Sequence, residues 1–252
     1  MEHRMRIENI KNYLKENHKV IFKIVKKCFL TFTSIKKIAG EFFIKCWTPI
    51  YKHTFQKILI KKIQKNPSCN IEIGPGDFRI PNFFTVNIIK TPFTDFVVNL
   101  ETENLPFNDN SINLIYTSHF IEHIAWYHID HIFEEFTRVL KPGGILEIWI
   151  PDGQKIANII IQSENQEIHT VPDGWIKFND EQHPIIWCNG RIFYGANPHY
   201  PSWHKAIYTY GYLSFLLKKY NFEKIERLTS EECRGVDHGW INLGIRGIKK
   251  WN

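Results

Sequence analysis

The stretch Phe133–Asp152, FEEFTRVLKPGGILEIWIPD, decides the fold. Its first half closes a helical segment expected over Ile121–Leu140. Lys141-Pro142-Gly143-Gly144 ends that helix, because proline cannot continue it and glycine accepts the left-handed stop. Ile145–Ile150 then reads as a buried strand. Outward from this unit, strand-like runs occur at Asn70–Ile73, Phe84–Ile89, Phe96–Asn99 and Ile112–Tyr116 on the N-terminal side. On the C-terminal side a helix at Tyr208–Tyr220 precedes strands at Phe222–Leu228 and Ile241–Ile248. Strands alternating with crossovers predict an α/β fold, a doubly wound and mainly parallel sheet of seven strands. Such sheets bind ligands beyond the carboxyl ends of their strands.

The chain has 252 residues, 43% hydrophobic and 15% aromatic, enough for one well-buried domain with an appendage. Cys28, Cys46, Cys69, Cys188 and Cys233 show no regular spacing, which points to a reducing, cytoplasmic setting rather than a disulfide framework. Lys and Glu interrupt every apolar run of the N-terminus, so neither a secretory leader nor a spanning helix is expected. Charge is unevenly placed. Residues 1–66 hold 16 basic and 4 acidic side chains, net +12, and the remaining residues hold 16 basic and 22 acidic ones, net −6. The expected organisation is a basic helical extension over 1–66 and a main domain over 67–252. The extension reads as a helical cap packing on the main domain, or as a basic amphipathic surface resting on anionic lipid at the membrane periphery. Nothing in it suggests base reading, and no nucleic-acid partner is expected.

Four stretches share one resemblance. IEIGPGD at 71–77 resembles the acidic-x-Gly-x-Gly turn of class I S-adenosylmethionine-dependent methyltransferases. LPFNDNSINLIYTSHFIEHI at 105–124 resembles their fourth-strand segment, and residues 133–152 resemble their RVLKPGG helix-turn-strand. YNFEKIERL and WINLGIRGIKK resemble the turn and last two strands. The resemblance implies a Rossmann-like sheet that binds S-adenosylmethionine and releases S-adenosylhomocysteine. It places the cofactor across the end of the first strand, over Gly74, Pro75 and Gly76, where side chains would collide with it. Glu72 would fix the cofactor's ammonium end through the turn, with Asn87, Asn99, Leu100 and Ser118 also at the cofactor.

The chain departs from the family where Asn87, Asn99 and Asn113 replace frequent acids. An amide still accepts from a hydroxyl but loses the charge-assisted bond, so weaker cofactor binding is expected. Too few residues separate Ile73 from Phe84 for a crossover helix, and the basic arm is the expected filler of that face.

Methyl transfer to a hydroxyl needs alignment and a base. His119 and His123, spaced as neighbours on one helical face past the fourth strand, and His204 are the catalytic candidates. An i, i+4 histidine pair also suits a metal, with Asp152 or His204 completing it, but no surrounding signature supports one and no metal is assigned. The segment after the fifth strand, 151–206, is long and aromatic, which suits a substrate lid that stacks on a ring, or a second small core. Asp152, Trp175, Tyr194 and Trp203 are its candidate acceptor contacts. GRIFYGANPHYPSWHKAIYTY at 190–210 resembles methyltransferases of bacterial surface-polysaccharide (capsule) clusters. The resulting expectation is O-methylation of a small carbohydrate-like or nucleotide-linked acceptor. A nitrogen or phosphate-derived oxygen acceptor, or a non-catalytic interaction protein of the same fold, are the rivals.

Overall fold

The fifth strand is longer than its apolar core suggests. In the computed structural model, which describes residues 51, 55–63, 69–171, 179–194 and 203–251, β5 runs Leu140–Pro151. It is the second-last parallel element of a seven-stranded sheet that also contains β1 (Asn70–Ile73), β2 (Phe84–Asn87), β3 (Phe96–Val97), β4 (Ile112–Ser118), β6 (Phe222–Leu228) and β7 (Asn242–Lys249) in the order β3-β2-β1-β4-β5-β7-β6. Strands β1 to β5 pair in parallel, and β7 runs antiparallel between β5 and β6. This is the doubly wound, Rossmann-like architecture expected. The proline-glycine turn lies inside β5 as an irregularity, since Ile112 pairs with Leu140 but Leu114 pairs with Ile145. Gly143 there has φ +75°, and a Cβ on it would stand 2.9 Å from Trp251.

Helices α1 (residues 55–63), α2 (Ile129–Val139), α3 (Gly153–Glu164), α4 (Pro184–Ile192) and α5 (Tyr210–Lys219) flank the sheet. Strand alternation divides the core. Ile71, Ile115, Leu146 and Ile148 share one cluster with Phe133 and Phe136 of α2 and Leu216 and Leu217 of α5. Leu114, Tyr116 and Trp149 point to the other face and meet Ile80, Phe83 and Leu228. No helix joins β1 to β2. The connection at 74–83 covers that second face with Ile80 and Phe83, so the missing crossover is replaced by a loop.

The arm was expected to fill this same face. Its described end does otherwise: Leu59 and Ile63 of α1 join the first cluster. Gln56 accepts from the backbone N–H of Val97, and the hydroxyl of Tyr51 donates to the carbonyl of Asp95 at 3.0 Å. Helix α1 therefore closes the free edge of β3, a row of backbone groups that would otherwise be open to pairing. The rest of the arm, residues 1–50, 52–54 and 64–66, lies outside the described residues.

The helix expected from Ile121 begins only at Ile129. Residues Ile121–His123 and Trp126–His128 form two single 3₁₀ turns instead. Their apolar spacing is helical, but their backbone groups are taken by tertiary partners. The carbonyl of Glu122 accepts from Lys205 and Ala206 at 2.7 and 3.2 Å, and the N–H of Ala125 donates to the Glu101 carboxylate at 2.8 Å. A carbonyl already serving two amides cannot also close a helical turn.

Candidate active site

The glycine bend stands past the carboxyl end of β1, with Gly74 at φ +74° and Gly76 at φ +56°. Both are left-handed, which favours glycine regardless of any ligand. Gly74 donates its N–H to Val86 at 2.9 Å, and a Cβ there would stand 3.1 Å from Cβ of Phe120. The group that crowds Gly74 is thus the protein's own aromatic ring, where a cofactor was expected. Around Gly76 an added Cβ meets nothing within 4 Å, so that half of the bend opens on free space. Glu72 is buried and accepts from the N–H of Ile80 at 2.9 Å, which ties the far end of the loop back to β1. Burial pushes its carboxyl up to about 7, against the pull of that hydrogen bond and of Arg79.

Asn87 ends β2 and its amide oxygen accepts from Ile88 N–H at 2.8 Å. Asn99 follows β3 and accepts from Glu101 N–H at 3.2 Å. Leu100 is buried in the main cluster, Pro75 is buried in the bend, and Ser118 ends β4 half-buried. All these positions lie at the carboxyl edge of the sheet, beside the open side of Gly76.

Phe120 links this bend to a histidine–carboxylate cluster on the next residues of the chain. His119 and His123 do not share a helical face, because His119 has φ +49° and the 3₁₀ turn follows it. They face different partners around Glu122, which is 2% exposed. His119 Nε2 lies 2.8 Å from Oδ1 of Asn242, whose Nδ2 donates to Asp237 at 2.7 Å. That second bond fixes the amide, so Nε2 of His119 must carry a proton. Its Nδ1 lies 3.2 Å from Oε1 of Glu122. Both nitrogens face acceptors, an arrangement that favours the protonated ring. Burial lowers its pKa, but Glu122 and Asn242 outweigh burial and the net shift is upward. Burial likewise raises the Glu122 carboxyl, and the surrounding His119, His123 and His204 reverse this to a net lowering.

His204 comes from the long segment after β5 and is held by backbone bonds. Its N–H donates to Tyr194 at 3.0 Å, and its neighbours Lys205 and Ala206 donate to Glu122. Its Nδ1 lies 2.8 Å from the carbonyl of Arg191 and must donate, which leaves a lone pair on Nε2 in the neutral ring. Burial holds its pKa below the ordinary histidine value. The ring of His204 stands 4.8 Å from that of His123 and 5.5 Å from that of Tyr194. His238 packs 3.9 Å from the ring of His119, and burial and that neighbouring charge push it down to about 4.

The other expected acceptor contacts divide. Trp203 is half-buried beside His204 in the chain, whereas Trp175 lies outside the described residues. Asp152 is buried as the N-cap of α3, accepting from Gln154 N–H at 3.0 Å and standing 3.6 Å from Arg227. Part of the long segment forms a small core, with Trp187 and Cys188 of α4 packed on Ile156, Ile159 and Ile241. The sequence pointed to His119, His123 and His204 but not to Glu122, His238, Asn242 or Phe120 as their partners. The pair Glu122-His123 was the one local signal available.

Residues 85–148 match the family model of a methyltransferase domain. The match spans about a quarter of the chain, and over that stretch it supports S-adenosylmethionine-dependent methyl transfer, with S-adenosylmethionine as cofactor. No curated protein matches the chain. Among solved structures, an S-adenosylmethionine-dependent methyltransferase from Thermotoga maritima is 18% identical, with 83% of this chain and 98% of that one covered at a TM-score of 0.43. A second from Archaeoglobus fulgidus is 12% identical over 84% and 100%, with a TM-score of 0.44. The 1,6-didemethyltoxoflavin-N1-methyltransferase of Burkholderia thailandensis is 11% identical over 82% and 81%, with a TM-score of 0.40.

Proposed function

We propose that this methyltransferase moves the methyl group to a hydroxyl of a small carbohydrate-like or nucleotide-linked acceptor, in the cytoplasmic assembly of a surface polysaccharide. The observation that carries the reading is the Glu122–His123–His204 cluster, with Glu122 and His204 buried, which starts two residues beyond the phenylalanine that packs on the glycine bend. The cofactor supplies the methyl group and its leaving group, so the protein aligns and activates the nucleophile. A neutral hydroxyl is a poor nucleophile, and His204 presents a lone pair at Nε2 because Arg191 holds its other nitrogen. A ring kept below its ordinary pKa stays neutral and receptive at pH 7. His119, set between Asn242 and Glu122, serves instead to favour the charged form of Glu122. The ring of Tyr194 stands beside that of His204, with Trp203 the preceding residue, and both offer flat surfaces against which a sugar or nucleotide ring would stack. Glu72, Gly74, Pro75, Gly76, Asn87, Asn99, Leu100 and Ser118 form the cofactor edge, and the basic arm is the part that would rest on anionic lipid.

Calorimetry with S-adenosylhomocysteine tests the first half, and no heat at millimolar ligand overturns it in favour of a non-catalytic protein. Nucleoside-diphosphate sugars and simple glycosides as acceptors test the second. With an acceptor that is turned over, His204→Ala is expected to cut turnover about 100-fold or more while S-adenosylhomocysteine still binds. A wild-type rate removes His204 from the chemistry.

A further inference from the structure

The cluster around Glu122 has more unspent binding capacity than a proton acceptor needs. Both carboxylate oxygens of Glu122 are buried with no hydrogen-bond partner, and the contact to His119 is one of charge at 3.2 Å without hydrogen-bond alignment. Nδ1 of His123 is also buried without a partner. Leaving such groups buried and unsatisfied is costly, more so when charged, so a ligand that fills them is favoured. One donor atom from each of Glu122, His123 and His204 lies within 4.8 Å of the others.

We infer that Glu122, His123 and His204 form a binding site for one divalent transition-metal ion of the zinc class. Two imidazoles and one carboxylate are the donor set of three-ligand zinc sites that keep a position open. Imidazole donors select against magnesium and calcium, which take oxygen. Ligands about 2.1 Å from a tetrahedral ion stand roughly 3.4 Å apart, so the site closes by about an ångström on loading. The surroundings are built for this. The backbone carbonyl of Arg191 accepts from Nδ1–H of His204 and so fixes the tautomer that presents Nε2, as carbonyls behind metal-bound histidines do. His119 remains on Oε1 of Glu122 and orients the carboxylate from behind, and Asn242 orients His119 in turn. The two backbone bonds from Lys205 and Ala206 to the carbonyl of Glu122 lock the two ligand-bearing segments together.

The site rests on the acceptor reading above and changes one role in it: an ion on Nε2 of His204 would occupy the lone pair assigned to the base and would itself activate the acceptor oxygen, yet its occupancy is measured without any acceptor or methyl transfer. The full chain, stripped with a chelator and dialysed, is titrated with zinc against a chromophoric chelator, and with cobalt for its visible d–d bands. One tight ion per chain is expected, with a cobalt spectrum of tetrahedral or five-coordinate intensity. His204→Asn and Glu122→Gln should each weaken it at least about 100-fold, and His119→Asn about 10-fold, with S-adenosylhomocysteine binding and circular dichroism unchanged as the check on folding. His169, exposed and remote in sequence from the cluster, supplies the control variant His169→Ala, which should leave the affinity unaltered. Absence of a tight site, or equal affinity in wild type, His204→Asn and Glu122→Gln, overturns the inference.

Discussion

Glu72 shows how a single side chain carries both the loop and a pH dependence. Its carboxyl is raised from 4.5 to about 7, first by burial, so the folded protein holds a proton that the unfolded chain gives up near 4.5. Between those values the folded state binds more protons, and stability falls as pH rises. The contribution is whole below 4.5 and gone above about 7. Glu72→Gln keeps an acceptor for Ile80 N–H and has no charge to bury, so its denaturation midpoint should vary less over that window and exceed wild type above it. Equal pH slopes for the two proteins would show that Glu72 titrates normally. The neighbouring glycines differ in what they meet. Gly74→Ala adds a clash with Phe120 to a left-handed strain of about 1–2 kcal/mol, and should lower stability more than Gly76→Ala. Gly76→Ala, facing open space, should instead lose S-adenosylhomocysteine affinity in excess of its stability cost. Calorimetry beside urea melts separates the two effects, and the reverse ranking would place the cofactor elsewhere.

Among the elements, residues legible in sequence were those whose structure is set by local chemistry. Asn70–Ile73 and Phe222–Leu228 have the bounds that alternation predicts. The eight residues before α2 did not yield to that reasoning. Their spacing is helical and no proline or glycine interrupts them, yet Lys205, Ala206 and Glu101 from distant parts of the chain claim the groups a helix would use. The same contacts deliver His204 to Glu122, more than 80 positions away in sequence, which is why His204 could be weighed with His123 while Glu122 went unseen as their partner. The arm's end is comparable: its lysines are visible, but its role at the β3 edge rests on Gln56 and on two apolar residues. Leu59→Ala should cost about 2–4 kcal/mol, read as a shifted urea midpoint with an unchanged slope. A cost near zero would make α1 an attachment rather than part of the core.

At the scale of the whole molecule, one face of the sheet carries helices α2 and α5, while the described cover of the other is two loops. On that thinner side Glu147, fully buried, meets Arg234 at 2.6 Å and Arg246 at 2.9 Å, and Tyr116 accepts from Gly235 N–H at 3.0 Å. An ion network pins the 229–238 loop where a crossover helix elsewhere supplies apolar contact. Removing one member of a buried pair leaves its partner's charge uncompensated, so Glu147→Ala should cost about 3–5 kcal/mol in a denaturation curve. A loss below 1 kcal/mol would mean that water already reaches the arginines.

From its own residues the chain dictates the alternation of strand and helix, the proline-glycine turn and the bare bend after β1. Each follows from periodicity or from a backbone conformation that only certain residues adopt. What the tertiary structure alone decided was which groups meet: Phe120 against Gly74, α1 against β3, and His204 beside Glu122. Those contacts join residues far apart in the chain through backbone hydrogen bonds, and a backbone amide or carbonyl has the same chemistry whatever side chain it bears.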